Sequence, residues 1–162
     1  MFYIVMGVSG TGKSTIGKLL SERTGWTFYD ADDFHPPANI EKMYRGIPLT
    51  DSDRLPWLLK LKQLITRTIN SDCQGILACS ALKSEYRQIL QNNHSEIKFI
   101  YLRGDYNCIQ SRVRQRTGHF MSSALLRSQF DTLEEPRDAL EVDVSHTPET
   151  IVAEILEQIG SS

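Results

Sequence analysis

The chain begins Phe2-Tyr3-Ile4-Val5-Met6 and continues Gly7-Val8-Ser9-Gly10-Thr11-Gly12-Lys13-Ser14. An apolar run leads straight into G-x-x-x-x-G-K-S, the phosphate-binding P-loop. The residue types follow from the task. Glycines at 7, 10 and 12 let the backbone curl tightly, so that its N–H groups converge on one concavity that cradles anionic oxygens. The helix that follows aims its positive end at the same place. Lys13 can reach the outer phosphates, and the Ser14 hydroxyl can ligate a magnesium ion. Gly7 through Thr15 is therefore the nucleotide-binding run. An apolar strand ending in a glycine-rich turn and a helix also marks the fold class, because that is how nucleotide-binding α/β sheets begin.

Outward from this stretch, strand and helix signals alternate. A first helix is predicted from Lys13 to about Thr24, closed by Gly25. Thr27-Phe28-Tyr29 reads as a short strand, followed by Asp30-Ala31-Asp32-Asp33-Phe34-His35 and two prolines that force a loop. Residues 38–45 read as a short helix. Asp53 is the expected N-cap of a long helix to about Asn70, with Pro56 in its first turn. Leu58, Leu61, Ile65 and Ile69 give that helix an apolar stripe. Gly75 to Cys79 is a continuous apolar run of the kind buried on both faces. A helix at about 83–92, a strand at 97–102, a helix capped by Asp105, a helix over 121–132, a strand at 140–144 and a helix from Thr147-Pro148 to Gly160 complete the pattern. Five strand–helix alternations predict an α/β, P-loop NTPase-like three-layer fold. It has a five-stranded parallel sheet, helices on both faces and a helical lid, all in a single domain over residues 1–162. Right-handed crossovers gather the carboxyl ends of the strands on one edge.

Bulk properties narrow the partners. The chain has 162 residues, a net charge of −2 and 23% charged residues, which offers no basic field for nucleic acid. No stretch approaches the roughly 20 apolar residues of a membrane span. Nothing at the N-terminus resembles a secretory leader, so a cytoplasmic protein is expected. Cys73, Cys79 and Cys108 are odd in number and widely spaced, as free thiols are.

Phosphoryl transfer requires held phosphates, a metal, an oriented nucleophile and cations around the moving group. The acid often found at the end of a later strand is missing here, since the third strand ends Ala78-Cys79-Ser80. The acids follow the second strand instead. Asp30, at its tip, is assigned with Ser14 to magnesium. Asp32, one step further out, can accept a proton from a hydroxyl, and His35 can hydrogen-bond a polyol. Arg54, Lys83 and Arg87 are candidates for anchoring a substrate carboxylate or phosphate. The segment Arg112 to Phe120 combines cations with a break at Gly118, which suits a lid that closes over the nucleotide. In it Arg116 is the candidate cation for the transferring phosphate, and Arg112 for stacking on the adenine of ATP. These features also suit a nucleotide-binding switch without an acceptor, although a switch has no need of a base at Asp32.

Several motifs beyond the P-loop resemble one family. They are Asp30-Ala31-Asp32-Asp33-Phe34-His35-Pro36, Asn39-Ile40-Glu41-Lys42-Met43, Pro48 to Arg54 with Pro56-Trp57-Leu58, Cys79-Ser80-Ala81-Leu82-Lys83 with Tyr86-Arg87, Gly118-His119-Phe120, and Ser128 to Glu134. In this order they resemble the P-loop gluconate kinases (gluconokinases), similar in architecture to shikimate and adenylate kinases. The resemblance implies ATP:D-gluconate 6-phosphotransferase activity with Mg²⁺, in a cytoplasmic enzyme often found as a homodimer. It implies Asp32 and His35 as substrate-facing, Arg54 and Lys83 as substrate-anchoring and residues 117–132 as part of the lid region, and counts Gln129 among the substrate-binding residues. A kinase for another small hydroxy acid, such as shikimate, stays open. Thr11 and Ser122 depart from the family's frequent serine and proline at those places.

Overall fold

The computed structural model describes residues 1–92, 94–115 and 123–160. Strand β1, Phe2–Met6, is buried along its whole length. Phe2, Ile4 and Met6 pack with Leu58, Leu61 and Leu77 on one side of the sheet, while Tyr3 and Val5 pack with Ile16, Leu20 and Ile100 on the other. This is the two-residue period of a strand. With both faces covered, no position is left for a polar residue, and the sequence reads as an unbroken apolar run.

The remaining elements alternate as predicted. They are α1 (Lys13–Thr24), β2 (Thr27–Asp30), a 3-10 turn (Ala31–Phe34), α2 (Pro37–Tyr44), α3 (Asp51–Asn70), β3 (Gly75–Ala78), α4 (Ser84–Gln91), β4 (Ile97–Arg103), α5 (Tyr106–Gln115), α6 (Ser123–Thr132), β5 (Leu140–Asp143) and α7 (Pro148–Gly160). The strands form one five-stranded sheet in the order β2-β3-β1-β4-β5. Every pairing is parallel. The chain travels from β1 outward to β2, returns to β3, then crosses β1 to reach β4. The carboxyl end of β1 is therefore the switch point, where a crevice opens between diverging connections. The P-loop leaves the sheet there.

The start of α3 differs from expectation. Its N-cap is Thr50, not Asp53. The Thr50 hydroxyl accepts the Asp53 N–H at 3.1 Å, and Asp53 Oδ2 accepts the Thr50 N–H at 2.9 Å. This reciprocal capping box makes Asp53 the third helical residue and satisfies two amides that would otherwise lack partners. Either side chain is a good cap by itself, and the box uses both. Pro56 therefore falls in the second turn rather than the first, counting Asp51 as the first helical residue. The carbonyl it deprives of a partner belongs to Ser52, which is exposed to water. Lys42 of α2 donates to the same Asp53 oxygen at 2.8 Å, tying α2 to the helix start.

Thr50→Ala should lower the unfolding free energy by about 1 kcal/mol, read from urea denaturation at neutral pH. The Asp53 carboxyl is pushed down from its ordinary 3.8 to about 2, first by Lys42 and then by the Thr50 amide. Its contribution to stability is complete above pH 3.8 and disappears as the pH falls toward 2. Asp53→Asn should therefore flatten that part of the acid limb of a stability–pH curve. An unchanged limb would remove the carboxylate from the account of this joint.

Candidate active site

The P-loop joins β1 to α1 with three glycines, Gly7, Gly10 and Gly12, in conformations that other residues rarely adopt. Gly12, the N-cap of α1, has φ 92°. Gly10 has φ 87°, and a Cβ there would lie 2.7 Å from Val113 of α5. The loop is thus shaped by its own torsions and pressed against a neighbouring helix. Thr11 donates to the Val8 carbonyl at 2.9 Å, so the threonine at this departure from the family pattern supports the loop from within. Lys13 Nζ also donates to the Val8 carbonyl, at 3.0 Å, which folds the lysine along the loop.

A cleft of about 410 Å³ runs from this loop toward α2 and α3. Ser14 Oγ donates to Asp30 Oδ2 at 2.8 Å, and Asp30 Oδ1 accepts the Asp32 N–H at 3.0 Å. Asp30 therefore links the first turn of α1 to the 3-10 turn that carries Asp32. The Ser14 hydroxyl and the Asp30 carboxylate are hard oxygen donors beside a phosphate cradle, the donor set that magnesium prefers. Cys79, where an acid is absent after β3, is fully buried and its thiol is pushed up to about 12 by desolvation, so it stays protonated.

Asp32 has a raised pKa, first through desolvation by the surrounding walls and then through repulsion from Asp30. Its side chain remains 81% exposed, so the effect is that of a cleft mouth rather than a core. Both causes favour taking up a proton. His35 is buried against Trp57, with ring centroids 4.2 Å apart and planes nearly parallel. Trp57 in turn donates its indole N–H to the Ala31 carbonyl at 2.7 Å, which pins the 3-10 turn to α3. Asn39 Nδ2 donates to the Asp53 carbonyl at 2.8 Å and meets His35 Nδ1 at 3.2 Å. An amide nitrogen can only donate, so Nδ1 is an acceptor and the ring proton sits on Nε2. That nitrogen lies 3.9 Å from Asp32 Oδ1 and faces the cleft. Burial, then the charge of Arg54, depress the His35 pKa to about 4. The ring is neutral at physiological pH and offers a hydrogen-bond donor without a charge.

The same architecture recurs in known proteins. The family model for shikimate kinase matches residues 9–160. The thermosensitive gluconokinase of Escherichia coli is 42% identical over 160 residues, covering 96% of this chain and 83% of that protein. The gluconokinase of Gluconobacter oxydans is 40% identical over 158 residues, covering 96% and 89%. The crystal structure of a gluconokinase from Sinorhizobium meliloti superposes with a TM-score of 0.89 at 41% identity, covering 98% of this chain and 91% of that one. The chain belongs to the gluconokinase family.

Within this family member not all of the expected site residues line the cleft. Ser9, Gly10, Gly12, Lys13, Ser14, Thr15, Asp30, Asp32, His35, Arg54 and Gln129 all line the one cleft. Gln129 reaches it from α6, where its Oε1 accepts the Ser9 N–H at 2.7 Å and ties α6 to the P-loop. Lys83 lies beyond the lining, bound to Asp51 at 2.9 Å. Arg112 donates to the Val144 carbonyl, joining α5 to the end of β5.

Arg87 is a correction. Its guanidinium is buried and donates to the carbonyls of Ala81 at 2.7 Å, Leu82 at 3.1 Å and Glu134 at 2.8 Å. Burial, not a ligand, governs it, and lowers its pKa. Ala81 is a non-glycine residue at φ 43°, a strained conformation that this clamp holds. Arg87 therefore shapes the loop after β3 instead of reaching a carboxylate. Arg116, and with it residues 117–122 of the expected lid, lie outside the described residues. Trp57, Asn39, Tyr86 and Asp51 were not singled out for the site. For Trp57 a signal was available, because a buried indole N–H requires a partner and so implies a nearby carbonyl.

Nitrogen NMR of the imidazoles should find His35 in the Nε2–H tautomer, with shifts flat from pH 8 to about 5 and moving only near 4. Because the unfolded ring titrates near 6.5, the fold loses stability as the pH falls from 6.5 toward 4. A midpoint near 6.5 in the folded protein would contradict the buried, neutral ring.

Proposed function

We propose that this protein transfers the γ-phosphoryl group of ATP to the 6-hydroxyl of D-gluconate, giving 6-phosphogluconate and ADP. One observation supports this most directly. The Ser14–Asp30 hydrogen bond joins the phosphate cradle to a loop that presents Asp32 and His35 to the same cleft. A donor half and an acceptor half thus share one cavity, as direct in-line transfer requires. The family membership adds the substrate, since the relatives bear the name gluconokinase.

In this reading the P-loop amides and Lys13 hold the outer phosphates. Asp32 orients the acceptor hydroxyl and takes its proton, a role its raised pKa favours. The neutral His35 donates Nε2–H to a neighbouring hydroxyl, and Arg54 faces the carboxylate end. Ser14 and Asp30 would hold Mg²⁺, which neutralises charge developing on the phosphates. Arg112 is read as the adenine neighbour, and Arg116 as a cation for the moving phosphoryl group within a lid over residues 117–132. Both belong to one kinase domain spanning 1–162. A cytoplasmic homodimer is part of the same proposal and rests on the resemblance. Among the described residues, no helix is long and apolar enough to cross a membrane.

The test is ADP release with a panel of acceptors. Turnover with gluconate and none with shikimate is the expected result, and the reverse overturns the substrate. Tight ATP binding without any acceptor-dependent release would make the protein a switch. Asp32→Asn should retain nucleotide binding and lose about 10²–10⁴-fold in kcat. Turnover near that of the unaltered protein would remove Asp32 as the base.

A further inference from the structure

Four side chains meet beyond the acceptor end of the cleft, away from the P-loop. Arg54 Nη1 donates to the Tyr86 hydroxyl at 3.1 Å. Tyr86 donates that hydroxyl's proton to Asp51 Oδ1, and Lys83 Nζ donates to the same oxygen at 2.9 Å. The two cations also sit over the Tyr86 ring, each 5.5 Å from its centre. One ammonium group and a phenol O–H thus converge on one carboxylate, with Arg54 behind the phenol, and that carboxylate is the protein's own.

Three features make this arrangement an exchangeable one. The Asp51 side chain is 58% exposed and that of Lys83 30%, and an exposed pair of this kind shifts an equilibrium by a factor of only about one to five. Tyr86 is buried, so its ring holds Arg54 and Lys83 near one another independently of Asp51. The start of α3 is fixed by the Thr50–Asp53 box and not by Asp51. Its positive end also favours any anion that arrives there. Asp51 is ionised at neutral pH, held below the usual carboxylate range by the Tyr86 and Lys83 hydrogen bonds.

We propose that Asp51 is a resident carboxylate that stands in for the acceptor's own, and that an acidic acceptor displaces it from Lys83 and Tyr86 on binding. Asp51 is then a specificity-determining residue. An acceptor with a carboxylate can replace it, whereas an uncharged polyol leaves Lys83 bound to Asp51. Lys83 and Tyr86 become positioning residues for the acid end, beyond Arg54 in the cleft. The inference rests on the proposed hydroxy-acid substrate and adds a competitor built into the chain.

The test is a double-mutant cycle on Asp51→Asn and Lys83→Met. It is read by KM for gluconate and for ATP, and by calorimetric affinity for gluconate, which needs no turnover. Asp51→Asn should lower KM and Kd for gluconate about two- to fivefold, with KM for ATP unchanged. Lys83→Met should weaken gluconate binding and abolish the gain from Asp51→Asn. A merely structural Asp51 would not tighten gluconate when removed. Unchanged or weaker gluconate affinity in Asp51→Asn overturns the inference, as does an equal gain in the Lys83→Met background. Asp51→Ser, which also suits a helix start, replaces Asp51→Asn if that variant melts early. Gluconate binding without phosphorylation overturns the proposed reaction and leaves the displacement to be judged by the calorimetric Kd. Neither binding nor turnover overturns both.

Discussion

The site depends on the parallel pairing of β1 with both β3 and β4. This pairing brings the P-loop after β1 beside the loop after β3, with Gly7 N–H directed at the Ser80 carbonyl at 3.4 Å. It also makes β1 a central strand with no exposed residue. A buried strand end cannot leave polar groups bare. The Gly7 amide accordingly meets Ser80, the Ser9 amide meets Gln129, and the glycine-rich loop curls over the end of β1. The acceptor side is then set by β2, two strands away in the sheet, whose last residue is Asp30. One hydrogen bond, Ser14 to Asp30, spans that interval.

Rigidity on the acceptor side comes from α3. Its indole at Trp57 fixes the Ala31 carbonyl and stacks on His35, while its first residues engage Lys42 and Asn39 of α2. Asp32 and His35, the proposed acceptor-side residues, sit on a short turn with little hydrogen bonding of its own. Such a turn keeps its geometry only because its surroundings determine it. Arg87 does the same for the loop after β3, holding three carbonyls and the strained Ala81. Buried polar groups here are satisfied and serve to position neighbours.

Local chemistry was legible in the sequence, and distant chemistry was not. The P-loop, α1 with its Gly25 cap, and the five strands each announce themselves within a few residues, and all were found. The placement of Asp30, Asp32 and His35 beside the P-loop was legible because parallel topology puts strand tips on one edge, and that of Arg54 because it opens the long helix near that edge. The Thr50 cap was missed because Thr50 and Asp53 both suit the position, and only the reciprocal bonds decide between them. Arg87 was misread because its partners include a carbonyl 47 positions later, and charge in a sequence does not reveal which oxygens it will meet. Asp51 carries no such local mark, since its partners Lys83 and Tyr86 come from α4 and its approach.

The alternation of β1 between two cores divides the labour of the molecule. Val8, Ile16, Ile109 and Val113, which back the phosphate loop, belong to the core on one side of the sheet. Ala31, Trp57 and Tyr86, which back the acceptor residues, belong to the core on the other. Among the described residues the sheet lies between the two halves, and Leu133 packs against both. Packing beneath the acceptor loop can therefore be redrawn without disturbing the side that grips the nucleotide. A fold built this way keeps one energy donor while its second substrate drifts over evolutionary time.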